Sequence, residues 1–139
     1  MINVYDFFCG CGGASYGFQS AGMRIMLGID NDPDAAATFK RNFPNAHFVQ
    51  KDIREIQPQD LEEYVDRTVP MLFCGCAPCQ PFSKQNKKKK IIDERINLLA
   101  EFGRFVAYYR PDFIFVENVP GIQNFPLNEG PLADFCLLL

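Results

Sequence analysis

Two side chains are spaced to do chemistry together. Cys79 lies in Cys74-Gly75-Cys76-Ala77-Pro78-Cys79-Gln80-Pro81-Phe82-Ser83, and Glu117 heads Glu117-Asn118-Val119-Pro120-Gly121. Each follows an apolar run, 69–73 and 113–116, that reads as a buried strand. Reactive groups in open α/β sheets sit at the carboxyl ends of strands, so a thiol and an acid would emerge at one sheet edge. Pro78 and Pro81 fix φ on either side of Cys79 and Gln80, which holds the sulfur in one place. Glu117, flanked by Val116 and Val119, is expected to be desolvated, which favours its protonated form. The plainer role for Glu117 is to cap the loop beyond it.

These positions need a sheet to carry them, and the chain supplies one. A strand over 4–8 runs into Cys9-Gly10-Cys11-Gly12-Gly13, and a helix follows from Ala14 or Ser15 to Ala21, closed by Gly22. Strand, glycine turn and helix form a cofactor-binding arrangement, because glycines let the backbone approach a ligand. The dinucleotide fingerprint is incomplete, since Ser15 stands at the third glycine position. A second strand over 25–29 ends at Asp30-Asn31-Asp32-Pro33. There Asp30 suits ribose hydroxyls, and Asp32 suits the N-cap of a helix over 34–43. A third strand over 47–50 delivers Asp52, which joins Asp6 and Asp30 along the sheet edge or else makes an Asx turn. A short helix over 60–66 precedes the strand leading to Cys79. Beyond Ser83, residues 84–90 hold five lysines and read as a basic loop, either solvated surface or a contact for a phosphodiester backbone. A long amphipathic helix over 91–109 leads to the strand before Glu117.

Composition narrows the classes. The chain has 139 residues, 47% hydrophobic and 22% charged, which suits one globular domain. A net charge of −3 excludes a uniformly basic nucleic-acid binder but not a local basic patch. No apolar run has the length of a membrane span, and the N-terminus lacks a signal-peptide pattern. Six cysteines in that setting imply free thiols in a reducing compartment. His47, the one histidine, is expected to be structural, which leaves no His for a Ser-His or Cys-His scheme. The apolar ending Cys136-Leu137-Leu138-Leu139 is unusual for a free terminus and reads as a helix cut off partway.

Taken together, Asp6-Phe7-Phe8-Cys9-Gly10-Cys11-Gly12-Gly13, Gly28-Ile29-Asp30, Lys51-Asp52-Ile53, the Gly75 to Ser83 run and Glu117-Asn118-Val119 resemble the DNA cytosine-5 methyltransferases in order and spacing. The resemblance implies an α/β, Rossmann-like, S-adenosylmethionine-dependent fold. Its mostly parallel sheet would have order 3-2-1-4-5 and stop before the last strands. Residues 1–126 would be the N-terminal part of the catalytic domain, and 127–139 the start of a following segment. Cys79 would attack C6 of a cytosine flipped out of double-stranded DNA, with Glu117 assisting at N3. The cofactor would meet Phe8, Gly10, Cys11, Gly12, Gly13, Asp30, Asn31, Asp52, Ile53, Pro78 and Leu98. The DNA would meet Gln80, Ser83, Lys84, Lys87 and Asn118. No metal is implied, and the setting would be cytoplasmic. Ala77, Phe7 and Cys9 depart mildly from the family's usual residues.

The family's later Gln-x-Arg-x-Arg element and target-recognition region have no counterpart in these 139 residues. A complementing C-terminal chain is therefore expected as a partner, with little turnover in its absence. Rival readings are an inactive remnant that only binds the cofactor, a Cys76–Cys79 thiol–disulfide oxidoreductase, and a zinc site built from Cys9, Cys11, Cys76 and Cys79.

Overall fold

β1 (Asn3–Phe7) is buried along its whole length. It is apolar on both sides except at Asn3 and Asp6, as befits a strand covered on both faces. The computed structural model describes residues 1–77, 98–117 and 130–139. Around β1 it sets β2 (Arg24–Asp30), β3 (His47–Gln50), β4 (Met71–Gly75) and β5 (Phe113–Val116) in the order 3-2-1-4-5. Every described pairing is parallel, so the strand order expected from the sequence is the one observed.

The register lines up the carboxyl ends. Phe7 pairs with Ile29 on one side and Gly75 on the other. Asp30 pairs with Gln50, and Gly75 with Val116. The segments that follow all five strands therefore start from one edge of the sheet.

Helices cover both faces. α1 (Gly13–Ser20) and α2 (Pro33–Asn42) lie over Val4, Ile25, Leu72 and Cys74, with Phe39 and Phe43 as the main fillers. Gly28 admits α2: a Cβ there would sit 2.5 Å from the Phe39 ring. On the other face α3 (Leu98–Tyr109) brings Phe102 and Phe105 onto Phe7 and Phe73. The Phe7 ring lies 5.1 Å from each of those three rings. The phenylalanine excess is thus largely a core-packing feature. α4 (Pro131–Cys136) adds Phe135, stacked on Phe102 at 5.6 Å.

Several boundaries differ from the sequence reading, each for a local reason. β4 begins after Pro70 and runs to Gly75, two residues later than expected. A proline has no N–H to donate inside a central strand, and the Met71 N–H goes instead to Asp112 Oδ2 at 2.8 Å. β1 stops at Phe7 because Phe8 turns to φ 61. The short helix expected over 60–66 is a 3₁₀ segment, Pro58–Tyr64, with Pro58 opening it and the Asp60 carboxylate accepting from the Gln57 N–H at 2.9 Å. Of the helix expected over 91–109, residues 91–97 lie outside the described residues. His47 is exposed, with its ring 5.0 Å from Tyr64.

Asp6 is the buried acid of the central strand, 1% exposed. Ser15 Oγ of α1 donates to its Oδ2 at 2.6 Å, which fastens the helix to the sheet. Its Oδ1 is buried with no hydrogen-bond partner. Burial pushes the Asp6 carboxyl up to about 6, against the hydrogen bond from Ser15. Because the folded chain holds this proton more tightly than the unfolded one, the contribution to stability is complete below about pH 4. It is lost as pH rises through about 6, and it amounts to about 3 kcal/mol. Asp6→Asn keeps an acceptor for Ser15 and removes the titration. Part of the contribution is already lost at pH 4.5, so urea unfolding at pH 4.5 and 7.5 should show the variant gaining on the parent chain by about 2 kcal/mol at the higher pH. Parallel pH profiles for the two chains would contradict this assignment.

Candidate functional site

The site begins where β1 ends. Phe8 takes φ 61 and Gly10 φ 51, so the chain folds back over the edge of the sheet. A non-glycine residue in that region costs on the order of 1–3 kcal/mol, and bonds to the neighbouring strand hold it there. The Cys9 N–H donates to the Ile29 carbonyl at 3.0 Å. The Gly10 N–H donates to Asp30 Oδ2 at 2.8 Å, which ties the glycine turn to the end of β2. Asp30 Oδ1 accepts from the Asp32 N–H at 3.0 Å. Each carboxylate oxygen keeps a lone pair for a further donor. Asp32 caps α2 as expected, accepting from the N–H groups of Asp34 at 2.8 Å and Ala35 at 3.4 Å.

A cavity of about 320 Å³ opens at this edge. Six of the residues expected for a cofactor line it: Phe8, Asp30, Asn31, Asp52, Ile53 and Leu98. Gly10, Cys11, Gly12 and Gly13 do not. Gly10 acts through its bond to Asp30, Cys11 is exposed, and Gly12 and Gly13 form the start of α1. Pro78, Cys79, Gln80, Ser83, Lys84, Lys87 and Asn118 lie outside the described residues, as does Val119.

Four lining residues were not anticipated: Ile29, Lys51, Arg54 and Cys76. Arg54 binds Asp52 with two nitrogens, Nε to Oδ1 at 2.9 Å and Nη2 to Oδ2 at 2.6 Å. These hydrogen bonds hold the Asp52 carboxyl below the usual carboxylate range. Asp52 also accepts from the Arg54 N–H at 3.0 Å, so the Asx turn and the place on the cavity rim coexist. Helical or strand periodicity gives no signal for such a contact two residues apart. Arg104 of α3, paired with Glu101 at 2.6 Å, donates to the carbonyls of Ile53 at 3.2 Å and Ile56 at 3.3 Å. α3 thereby holds the segment carrying Asp52 and Ile53 and also presents Leu98 to the cavity.

At the other side of the cavity Cys76 follows β4, and Glu117, which does not line the cavity, follows β5; the two come directly after the paired residues Gly75 and Val116. The desolvation expected of Glu117 is not seen. β5 is the outermost strand of the described sheet, Phe113 and Phe115 are 50% and 42% exposed, and Glu117 is itself exposed. Cys9 is buried, and that burial, with the charges of Asp6 and Asp30, pushes its thiol well above the ordinary range. Cys74 and Cys76 lie with their Sγ atoms 3.6 Å apart. Among the described residues no three His, Cys, Asp or Glu side chains are grouped to hold a metal ion.

Known proteins share this arrangement. A family model described as C-5 cytosine-specific DNA methylase matches residues 2–130. The type II methylase M.HgiDII of Herpetosiphon aurantiacus is 36% identical over 126 residues, covering 91% of this chain and 35% of that protein. The type II methyltransferase M.DdeI of Desulfomicrobium norvegicum is 39% identical over 124 residues, covering 88% of this chain and 29% of its own length. A crystal structure of a candidate DNA modification methyltransferase from an E. coli prophage superposes with TM-score 0.82 at 31% identity, covering all of this chain and 38% of that one. The chain spans about a third of the length of these relatives. With the match extending over nearly all of its residues, the chain belongs to the C-5 cytosine-specific DNA methylase family.

Proposed function

We propose that the chain is the cofactor-binding and catalytic portion of an enzyme that transfers a methyl group from S-adenosylmethionine to C5 of cytosine in double-stranded DNA. The observation that carries the reading is the cavity at the carboxyl ends of β1, β2 and β3, in a chain of this family. Its lining suits the cofactor. Asp30 and Asp52 offer acceptors for ribose hydroxyls and an adenine amino group, while Phe8, Ile53 and Leu98 offer apolar surface for the adenine ring. When bound, S-adenosylmethionine supplies an electrophilic methyl group.

The remaining chemistry belongs to side chains. C5 of cytosine is a poor carbon nucleophile until a thiolate adds at C6. In this reading the Cys79 sulfur forms a bond to C6 while Glu117 donates a proton or hydrogen bond at N3, and C5 becomes the carbon of an enamine. After methylation C5 loses its proton, the C6–S bond breaks, and Cys79 is regenerated. The base must leave the helix for these groups to reach it. Gln80, Ser83 and Asn118 would contact that base and its strand, and Lys84 and Lys87 the phosphates. Residues 1–126 would form the catalytic portion, in a cytoplasmic setting; among the described residues no helix is long and apolar enough to cross a membrane. Since the chain spans about a third of its relatives, a complementing C-terminal piece would supply target recognition, and methyl transfer by the chain alone would be slight.

Calorimetric titration of the chain with S-adenosylhomocysteine tests the cofactor half. Asp30→Ala should weaken binding by roughly 10- to 100-fold, the loss expected for hydrogen bonds to a charged group. Unchanged affinity in a variant that still unfolds cooperatively would exclude Asp30 from the site. The catalytic half is tested with duplexes carrying 5-fluorocytosine, whose C5 substituent cannot leave as a proton. With cofactor and the C-terminal portion of a relative supplied in trans, the chain should form a covalent adduct mapped to Cys79. Cys79→Ala should abolish the adduct, and Glu117→Gln should slow it by about 100-fold. An adduct on any other cysteine would refute the assignment.

A further inference from the structure

The mechanism above leaves a pair of thiols unused. Cys74, the fourth residue of β4, is fully buried, and Cys76, two residues on, lines the cavity. Cys76 lies one residue past the end of β4, its N–H still donating to the Phe7 carbonyl at 3.4 Å, and the two Sγ atoms stand 3.6 Å apart. Extended chain puts their Cα atoms about 6.6 Å apart, inside the span a disulfide accepts. The residue between them is Gly75, the one most able to absorb the backbone change that ring closure demands.

We propose that Cys74 and Cys76 form a reversible dithiol–disulfide pair on the cavity wall, a modification site through which peroxide weakens binding of the adenosyl ligand. The effect on the ligand rests on the cofactor reading given above; the disulfide itself does not. The hydrogen bond between the two thiols divides their roles. It pulls the Cys76 thiol below its ordinary range, and it pushes the Cys74 thiol up together with burial. Cys76 is therefore the group that meets the oxidant, through the cavity, and Cys74 is the resolving thiol. In the first step the Cys76 sulfur attacks one peroxide oxygen, forming a sulfenic acid and releasing water after proton transfer. In the second, the Cys74 sulfur attacks the Cys76 sulfur, the S–O bond breaks, and a second water leaves. Overall two thiols and one hydrogen peroxide give one disulfide and two waters. Closing the bond draws the sulfurs from 3.6 Å to about 2.05 Å and pulls Cys76 off the cavity wall toward the strand.

The test treats the full chain with hydrogen peroxide, alkylates the remaining thiols, and maps the cysteines by mass spectrometry. A Cys79→Ser chain removes the competing Cys76–Cys79 bond from the map. In that chain the segment holding Cys74 and Cys76 should lose two hydrogens and take up no alkylating agent. Cys76→Ala, a change at the cavity wall, should leave Cys74 as a free thiol. Affinity of the Cys79→Ser chain for S-adenosylhomocysteine should fall about tenfold on oxidation and return with dithiothreitol. Adding Cys76→Ala to that chain should remove the fall. Two alkylated thiols after peroxide, or a disulfide that leaves the affinity unchanged, would overturn the proposal. If the reduced chain bound no adenosyl ligand, the cofactor reading would fail and the claimed effect on the ligand with it, while the mass map would still decide the disulfide.

Discussion

Parallel pairing of β1 with both β2 and β4 is the constraint on which the site depends. With Phe7 aligned to Ile29 and to Gly75, the glycine turn, Asp30 and the segment bearing Cys76 all leave the sheet at one level. Parallel strands demand long crossovers, and here helices fill them on both faces. The register is enforced by packing as much as by hydrogen bonds. Phe7 lies among Phe73, Phe102 and Phe105, and a slip of one residue would send Asp6 into that aromatic cluster. Offset and edge-on aromatic pairs of this kind contribute about 0.5–1.5 kcal/mol each beyond the area they bury.

The edge so formed is then shaped by short polar contacts. Asp30 accepts the Gly10 N–H on one oxygen and the Asp32 N–H on the other, so one carboxylate fixes both the glycine turn and the entry to α2. Arg104 does the same service from the opposite face, holding the carbonyls of Ile53 and Ile56. The cavity walls come from segments far apart in the chain, from Phe8 to Leu98, that converge because the sheet grows from β1 to β3 on one side and then from β4 to β5 on the other.

Much of this was legible in the sequence because it follows from local rules. Apolar runs ended by acids and glycines located the strands, and Asp32 before Pro33 announced its cap. Phe8, Asp30, Asp52, Ile53 and Leu98, named from the family resemblance as cofactor contacts, line one cavity. What escaped depends on tertiary geometry. The start of β4 was set by the missing N–H of Pro70 and by Asp112 from far along the chain. The embrace of Asp52 by Arg54 and the reach of Arg104 from α3 have no periodic signature. The exposure of Glu117 follows from the outer position of β5, which its apolar neighbours in sequence did not reveal.

The central claim is that the carboxyl edge of the sheet, and not another hollow, receives the adenosyl group. Amide chemical-shift mapping of the isotope-labelled chain during titration with S-adenosylhomocysteine tests it most directly. The account predicts saturable shifts at Phe8, Asp30, Asp52, Ile53 and Leu98, which line one cavity. Shifts confined instead to Gln19, Met23, Arg24 and Asn45, around the hollow near the start of β2, would contradict it.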